Sequence, residues 1–242
     1  MTLKLLRSII TFKGSDVMSF EEKEFKGIKY LIKYPEGFDE SKTYPALMFL
    51  HGTGTRGDTT EKLRNHVFFK ITTPMNLPFV IFTPLCITET LWLDCWERLE
   101  EFSEYIIELP FVDKTRFYLT GASMGGYATW SLAMCKPHLF AAIAPVCGGG
   151  MCFHAMHLKN VPVWAFHGTM DPVVSVTESI NLVERVNKHG GNAKLTLYEG
   201  TTHDAWTPAY KTKELYDWFL SHSLSSDVWD KVDDGLKGAR FG

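Results

Sequence analysis

Along the chain, short runs of β-branched and aromatic residues alternate with longer stretches in which apolar side chains recur at helical spacing. Runs of the first kind suit strands, and stretches of the second suit helices that bury one face. The spacing predicts strands over 28–34, 46–50, 79–83, 116–120, 141–146, 161–166 and 194–198. Helices are expected over 97–109, 124–135, 176–189 and 209–222. Residues 46–50 are apolar without a break, as a strand covered on both faces should be. Leu99, Phe102, Ile106 and Leu109 form the stripe of helix 97–109, which Pro110 ends, and Gly190-Gly191 closes helix 176–189. Strands and helices taking turns in this way predict an α/β fold: a mainly parallel sheet flanked by helices on both faces. The segments between strands are short, so little or no lid is expected.

A chain of 242 residues, 45% hydrophobic and 22% charged, suits one domain. That domain is expected to run over 18–222, between an N-terminal extension (1–17) and a polar, glycine-containing tail (223–242). Lys4 and Arg7 interrupt the apolar start and no small-residue cleavage site follows, so no leader is expected. No apolar run reaches the roughly 20 residues that span a bilayer. With a net charge of -3 and no cluster of Lys and Arg, neither nucleic acid nor membrane is an expected partner. Self-association is compatible with the sequence. Five cysteines, none in a C-x-x-C pair or beside histidines at zinc spacing, read as reduced thiols in a cytoplasmic protein, and no metal motif occurs.

The chemistry-bearing segment is Gly121-Ala122-Ser123-Met124-Gly125, which lies between a predicted strand and a predicted helix. A strand that turns sharply into a helix between small residues exposes its serine hydroxyl at the carboxyl edge of the sheet. The amides at the start of the helix then face the same point, where an attacked carbonyl would develop negative charge. A serine hydroxyl needs a base, and the base needs an orienting carboxylate, which in this arrangement follow in the order Ser, acid, His. Asp171 and His203 each sit in a loop after a predicted strand. Asp171 is the preferred acid, with Asp204, adjacent to the base, as the alternative. His51 and His167 precede glycines at strand ends and are expected to brace loops. Two backbone donors are required for an oxyanion: Met124, after the nucleophile, and Thr53, between Gly52 and Gly54. Trp96 and Trp206 are candidates to line the substrate pocket, with Trp92 a weaker one. This chemistry calls for no cofactor.

Four segments together resemble a known group: residues 50–58, residues 121–127, residues 166–174, and His203-Asp204-Ala205-Trp206. The chain is similar to small α/β-hydrolases of the peptidase and carboxylesterase group, relatives of the dienelactone hydrolase, feruloyl esterase and polyhydroxybutyrate depolymerase families. The resemblance implies Ser123, Asp171 and His203 as a catalytic triad, with Thr53 and Met124 as the oxyanion hole. It implies a serine carboxylesterase acting on a small-molecule ester of short-acyl or aryl type. Alternatives are a feruloyl-type esterase or peptidase of the same fold, or a binding protein on a hydrolase scaffold. Pro84-Leu85-Cys86-Ile87 departs from the Gln-Cys-Pro-like segment of relatives, and Ser123 departs from the cysteine nucleophile of dienelactone hydrolases proper.

Overall fold

The structure, a computed structural model, describes residues 20–225. The expected N-terminal extension, and the tail beyond Ser225, lie outside the described residues. Eight strands form one sheet in the order β1-β2-β4-β3-β5-β6-β7-β8. They are β1 (Glu21–Phe25), β2 (Ile28–Lys33), β3 (Tyr44–Leu50), β4 (Val80–Pro84), β5 (Val112–Ala122), β6 (Ala142–Val146), β7 (Val163–Gly168) and β8 (Ala193–Tyr198). From β4 to β8 all neighbours are parallel, while β1 and β2 pair antiparallel at one side. The helices are α1 (Glu61–Arg64), α2 (Val67–Thr72), α3 (Trp96–Ile107), α4 (Met124–Cys135), α5 (Val176–Lys188), α6 (Trp206–Lys211) and α7 (Lys213–Leu220).

The parallel strands bury both faces, which is why they read as unbroken apolar runs. On one face Met48, Leu50, Phe82 and Leu119 pack under Leu99 and Phe102 of α3, Ala128 of α4 and Leu182 of α5. On the other, Leu47, Phe49, Tyr118 and Phe166 meet Phe68 of α2, Tyr210 of α6 and Phe219 of α7. Among the described residues no segment builds a separate lid.

Four features differ from the sequence expectation. β1 was not expected, because its Glu and Lys residues mask the alternation, and α1 and α2 are too short for a periodic signal. Helix 97–109 ends earlier, at Ile107, leaving Leu109 beyond it. β5 starts at Val112 rather than 116: its register to β3 shifts between Tyr44 and Ala46. The polar residues in the shifted stretch are folded onto Asp113, which accepts from Thr115 N at 3.0 Å and Arg116 Nε at 2.6 Å. The expected last helix, 209–222, is two helices broken at Thr212, whose backbone is extended. The Thr212 hydroxyl donates to the Pro208 carbonyl at 3.0 Å, a side-chain bond that competes with the helical ladder.

Candidate active site

At Ser123 the chain passes from β5 into α4 with φ 57° and ψ -118°. A residue bearing a Cβ rarely adopts this conformation, which costs about 1–3 kcal/mol and persists only where the surroundings enforce it. Here they do. A Cβ added at Gly125 would come within 1.9 Å of the Leu50 carbonyl oxygen, and one at Gly121 within 2.4 Å of the Gly125 oxygen. Only bare backbone lets α4 lie this close to β3 and β5.

The hydroxyl so presented meets its expected partners. Ser123 Oγ lies 2.8 Å from His203 Nε2, and His203 Nδ1 lies 2.7 Å from Asp171 Oδ2. The carboxylate can only accept at Nδ1, so Nδ1 carries the proton and Nε2 is free to accept from the serine. The Asp171 side chain is fully buried. Burial pushes its carboxyl up, but hydrogen bonds from His203 and from the Val174 and Val173 amides outweigh burial and hold it below the usual carboxylate range. Those amides donate to Asp171 Oδ1 at 3.0 and 2.8 Å, leaving Oδ2 to His203. The alternative acid, Asp204, turns away to Thr207, accepting from its amide and its hydroxyl, each at 3.0 Å.

Met124 opens α4, and the first-turn amides of a helix have no partner within it. Thr53 lies in a 3-10 turn, Thr53–Thr55, beside the serine: a Cβ at Gly52 would sit 3.4 Å from Ser123 Cβ. Arg56 Nε donates to the Thr53 carbonyl at 3.1 Å, which fixes the peptide on one side. His51 anchors the other: buried, it donates from Nδ1 to the Gly52 carbonyl at 2.7 Å and accepts at Nε2 from Cys86 N at 3.0 Å. The buried Trp92 indole donates to the His51 carbonyl at 3.0 Å. Trp92 thus braces the Thr53 loop, a part that no sequence signal distinguished from ordinary core packing. His167 also braces a loop, as expected. Its Nε2 donates to the Val174 carbonyl at 3.0 Å, beside Asp171, and burial holds its pKa down.

Of the two expected pocket residues, Trp206 stands perpendicular to the His203 ring at 5.2 Å between centroids. Trp96 donates to Glu100 on its own helix at 2.9 Å and packs against the core. Cys147, singled out by nothing in the sequence, follows β6 at a positive φ of 38°. Its sulfur, with Asp171 and His203, offers ligand atoms all within 4.8 Å of one another, yet the last two are already bonded to each other. The arrangement can move a proton from a serine hydroxyl to an imidazole held by a buried carboxylate.

The sequence profile of the prolyl oligopeptidase family matches residues 94–150, the stretch from the 3-10 turn before α3 through the serine turn to the loop after β6. The chain is 21% identical over 174 residues to the probable feruloyl esterase C of Aspergillus terreus, covering 70% of this chain and 64% of that protein. Among solved structures it is similar to a thermostable esterase, with a TM-score of 0.75, 30% identity and coverage of 84% of this chain and 63% of that one. A butyrate-bound esterase of Thermogutta terrifontis shares the fold with a TM-score of 0.66 at 17% identity, over 85% of this chain and 95% of the other. The chain thus spans less than two thirds of the length of the feruloyl esterase and the thermostable esterase. Among the described residues no helix is long and apolar enough to cross a membrane. Sheet order, the serine turn and these likenesses agree: the chain has the α/β-hydrolase fold and is similar to esterases and peptidases built on it.

Proposed function

We propose that the chain is a serine carboxylesterase that hydrolyses small short-acyl or aryl esters through an acyl-enzyme intermediate. The observation that carries the reading is the unbroken hydrogen-bond path from Ser123 Oγ through His203 to the buried Asp171. His203 Nε2 takes the hydroxyl proton as Ser123 attacks the ester carbonyl, and Asp171 balances the imidazolium that forms. The Thr53 and Met124 amides donate to the oxyanion, a contribution worth about 3–4 kcal/mol for one donor. His203 then returns the proton to the departing alcohol, and a water activated by the same imidazole releases the acid. Trp206, beside His203, forms one wall for the acyl or aryl group, with Trp96 a second candidate. Met170 and Val173, which flank the acid loop, are 64% and 68% exposed, and this apolar surface favours an uncharged substrate.

Replacing Ser123 with Ala should lower kcat on p-nitrophenyl acetate by at least roughly 10⁴-fold with the fold intact. Retained turnover would overturn the assignment. The match of residues 94–150 to the prolyl oligopeptidase family favours a second reading, a peptidase. The feruloyl esterase relative favours a variant of the first, a hydroxycinnamoyl esterase. Rates measured side by side on p-nitrophenyl butyrate, methyl ferulate and a peptide p-nitroanilide separate the three.

A further inference from the structure

Between β6 and β7 the chain reads Met151-Cys152-Phe153-His154-Ala155-Met156-His157, which brings thioethers, a thiol and imidazoles into one short segment. It folds as a 3-10 helix over Cys152–Leu158 with Met151 as its cap, and the His154 amide closes the first turn on the Met151 carbonyl at 2.9 Å. Such a helix turns once in three residues, so side chains three apart stack on one face. The inward face takes Cys152, Ala155 and Leu158; the last two are wholly buried, in the core that holds Leu182 and Val186 of α5. The outward face takes Met151, His154 and His157, all exposed. The two imidazoles lie 5.7 Å apart between centroids, tilted by 43°, with the Phe153 ring edge-on to His154 at 5.6 Å. Among the described residues neither imidazole makes a hydrogen bond or an ion pair, so their nitrogens are uncommitted.

We infer that Met151, His154 and His157 form a surface binding site for a monovalent copper ion. Two imidazoles that share one ion at about 2.0 Å per nitrogen place their centroids roughly 5–6 Å apart, which is the separation of this pair. A thioether and two imidazoles make a soft, uncharged donor set, whereas Mg2+ and Ca2+ require oxygen ligands. The thioether also separates the two ions that imidazole suits: Zn2+ takes thiolate, imidazole and carboxylate, and a thioether beside imidazole points to Cu+. Met151 and Met156 are 66% and 40% exposed, which places both sulfurs of this turn where an ion can reach them. With Ala155 and Leu158 locked in the core, the outward face is held in place before the ion arrives. No metal motif marks the segment in the sequence; the 3-10 turn is what aligns the methionine with the two histidines. The site shares no residue with Ser123, His203 and Asp171 and is independent of the esterase reading.

The test titrates the full, reduced chain under nitrogen into Cu+ held as its purple bicinchoninate complex and reads the colour lost. Cys135, exposed at the end of α4, is a competing soft ligand, so every protein is also measured in a Cys135→Ser form. That form should draw one ion per chain from the dye. His154→Ala, His157→Ala and Met151→Leu should each weaken this uptake at least roughly tenfold, the loss that even changes around the ligands of a metal produce. All three positions are exposed, so the variants should keep the thermal midpoint of the parent. For Zn2+, followed against a competing chelator, Met151→Leu should change nothing. Copper uptake that survives both histidine substitutions would overturn the site. Uptake lost only in Cys152→Ser would do the same, since the ion would then sit on that thiol. Cu+ uptake unaltered by Met151→Leu, or Zn2+ weakened as much as Cu+, would defeat the thioether ligand and with it the choice of copper.

Discussion

Burial keeps His51 uncharged where a free histidine would titrate: its pKa is pushed down to about 4, although the hydrogen bond to the Gly52 carbonyl pulls it up. The neighbours His66, Arg56 and Lys62 add to the lowering. In the unfolded chain the same ring titrates near 6.5, so between these values the unfolded state binds the extra proton and stability falls as pH falls. At pH 5 this one residue should cost about 2 kcal/mol relative to pH 7. The loss in unfolding free energy between pH 7 and 5, measured in urea, should therefore be about 2 kcal/mol smaller in His51→Gln than in the parent. An equal loss in both proteins would contradict the burial argument. His51 was legible in the sequence as a loop brace because it precedes a glycine at a strand end. What it braces against, Cys86 and Trp92, was not, since those contacts join segments 35 and 41 residues apart.

At the level of elements, the serine turn is a packing device before it is a chemical one. α4 can start beside the Ser123 hydroxyl only because Gly125 lets its backbone ride on the Leu50 carbonyl of β3. Gly125→Ala forces helix and strand apart against backbone that cannot yield, and should destabilise the fold by about 3 kcal/mol or more, seen as a lower denaturation midpoint. Gly54→Ala meets nothing within 4 Å and is the matched control, with stability close to the parent. This element was readable from five residues because strand, glycines and helix lie next to each other in the chain. The expected acid and base were readable for a related reason: Asp171 and His203 each follow a strand end, and parallel strands deliver their ends to one edge. β1 and the break at Thr212 were not readable. A strand of charged residues takes its place from pairing with β2, and the Thr212 break depends on a side chain bonding to the carbonyl of Pro208.

Across the whole molecule, the four strands whose ends feed the candidate site are β3, β5, β7 and β8, and β6 must lie between β5 and β7 for their ends to meet. The bond between Ser123 and His203 joins positions 80 residues apart, and that between Asp171 and His203 joins positions 32 apart. Contacts this distant form late, after the ordering of intervening chain has been offset by packing. On refolding from urea, the hydrolysis of p-nitrophenyl acetate that the proposed function calls for should return with the slowest phase, behind the far-ultraviolet signal of the helices. Activity that returned ahead of that signal would show the site assembling without the sheet. During synthesis the order is fixed in the same sense, because Ser123 leaves the ribosome well before its base. Until residue 203 has joined the sheet edge, the hydroxyl lacks the imidazole partner that the proposed esterase reading gives it as a base, so on that reading the nascent chain exposes no active nucleophile.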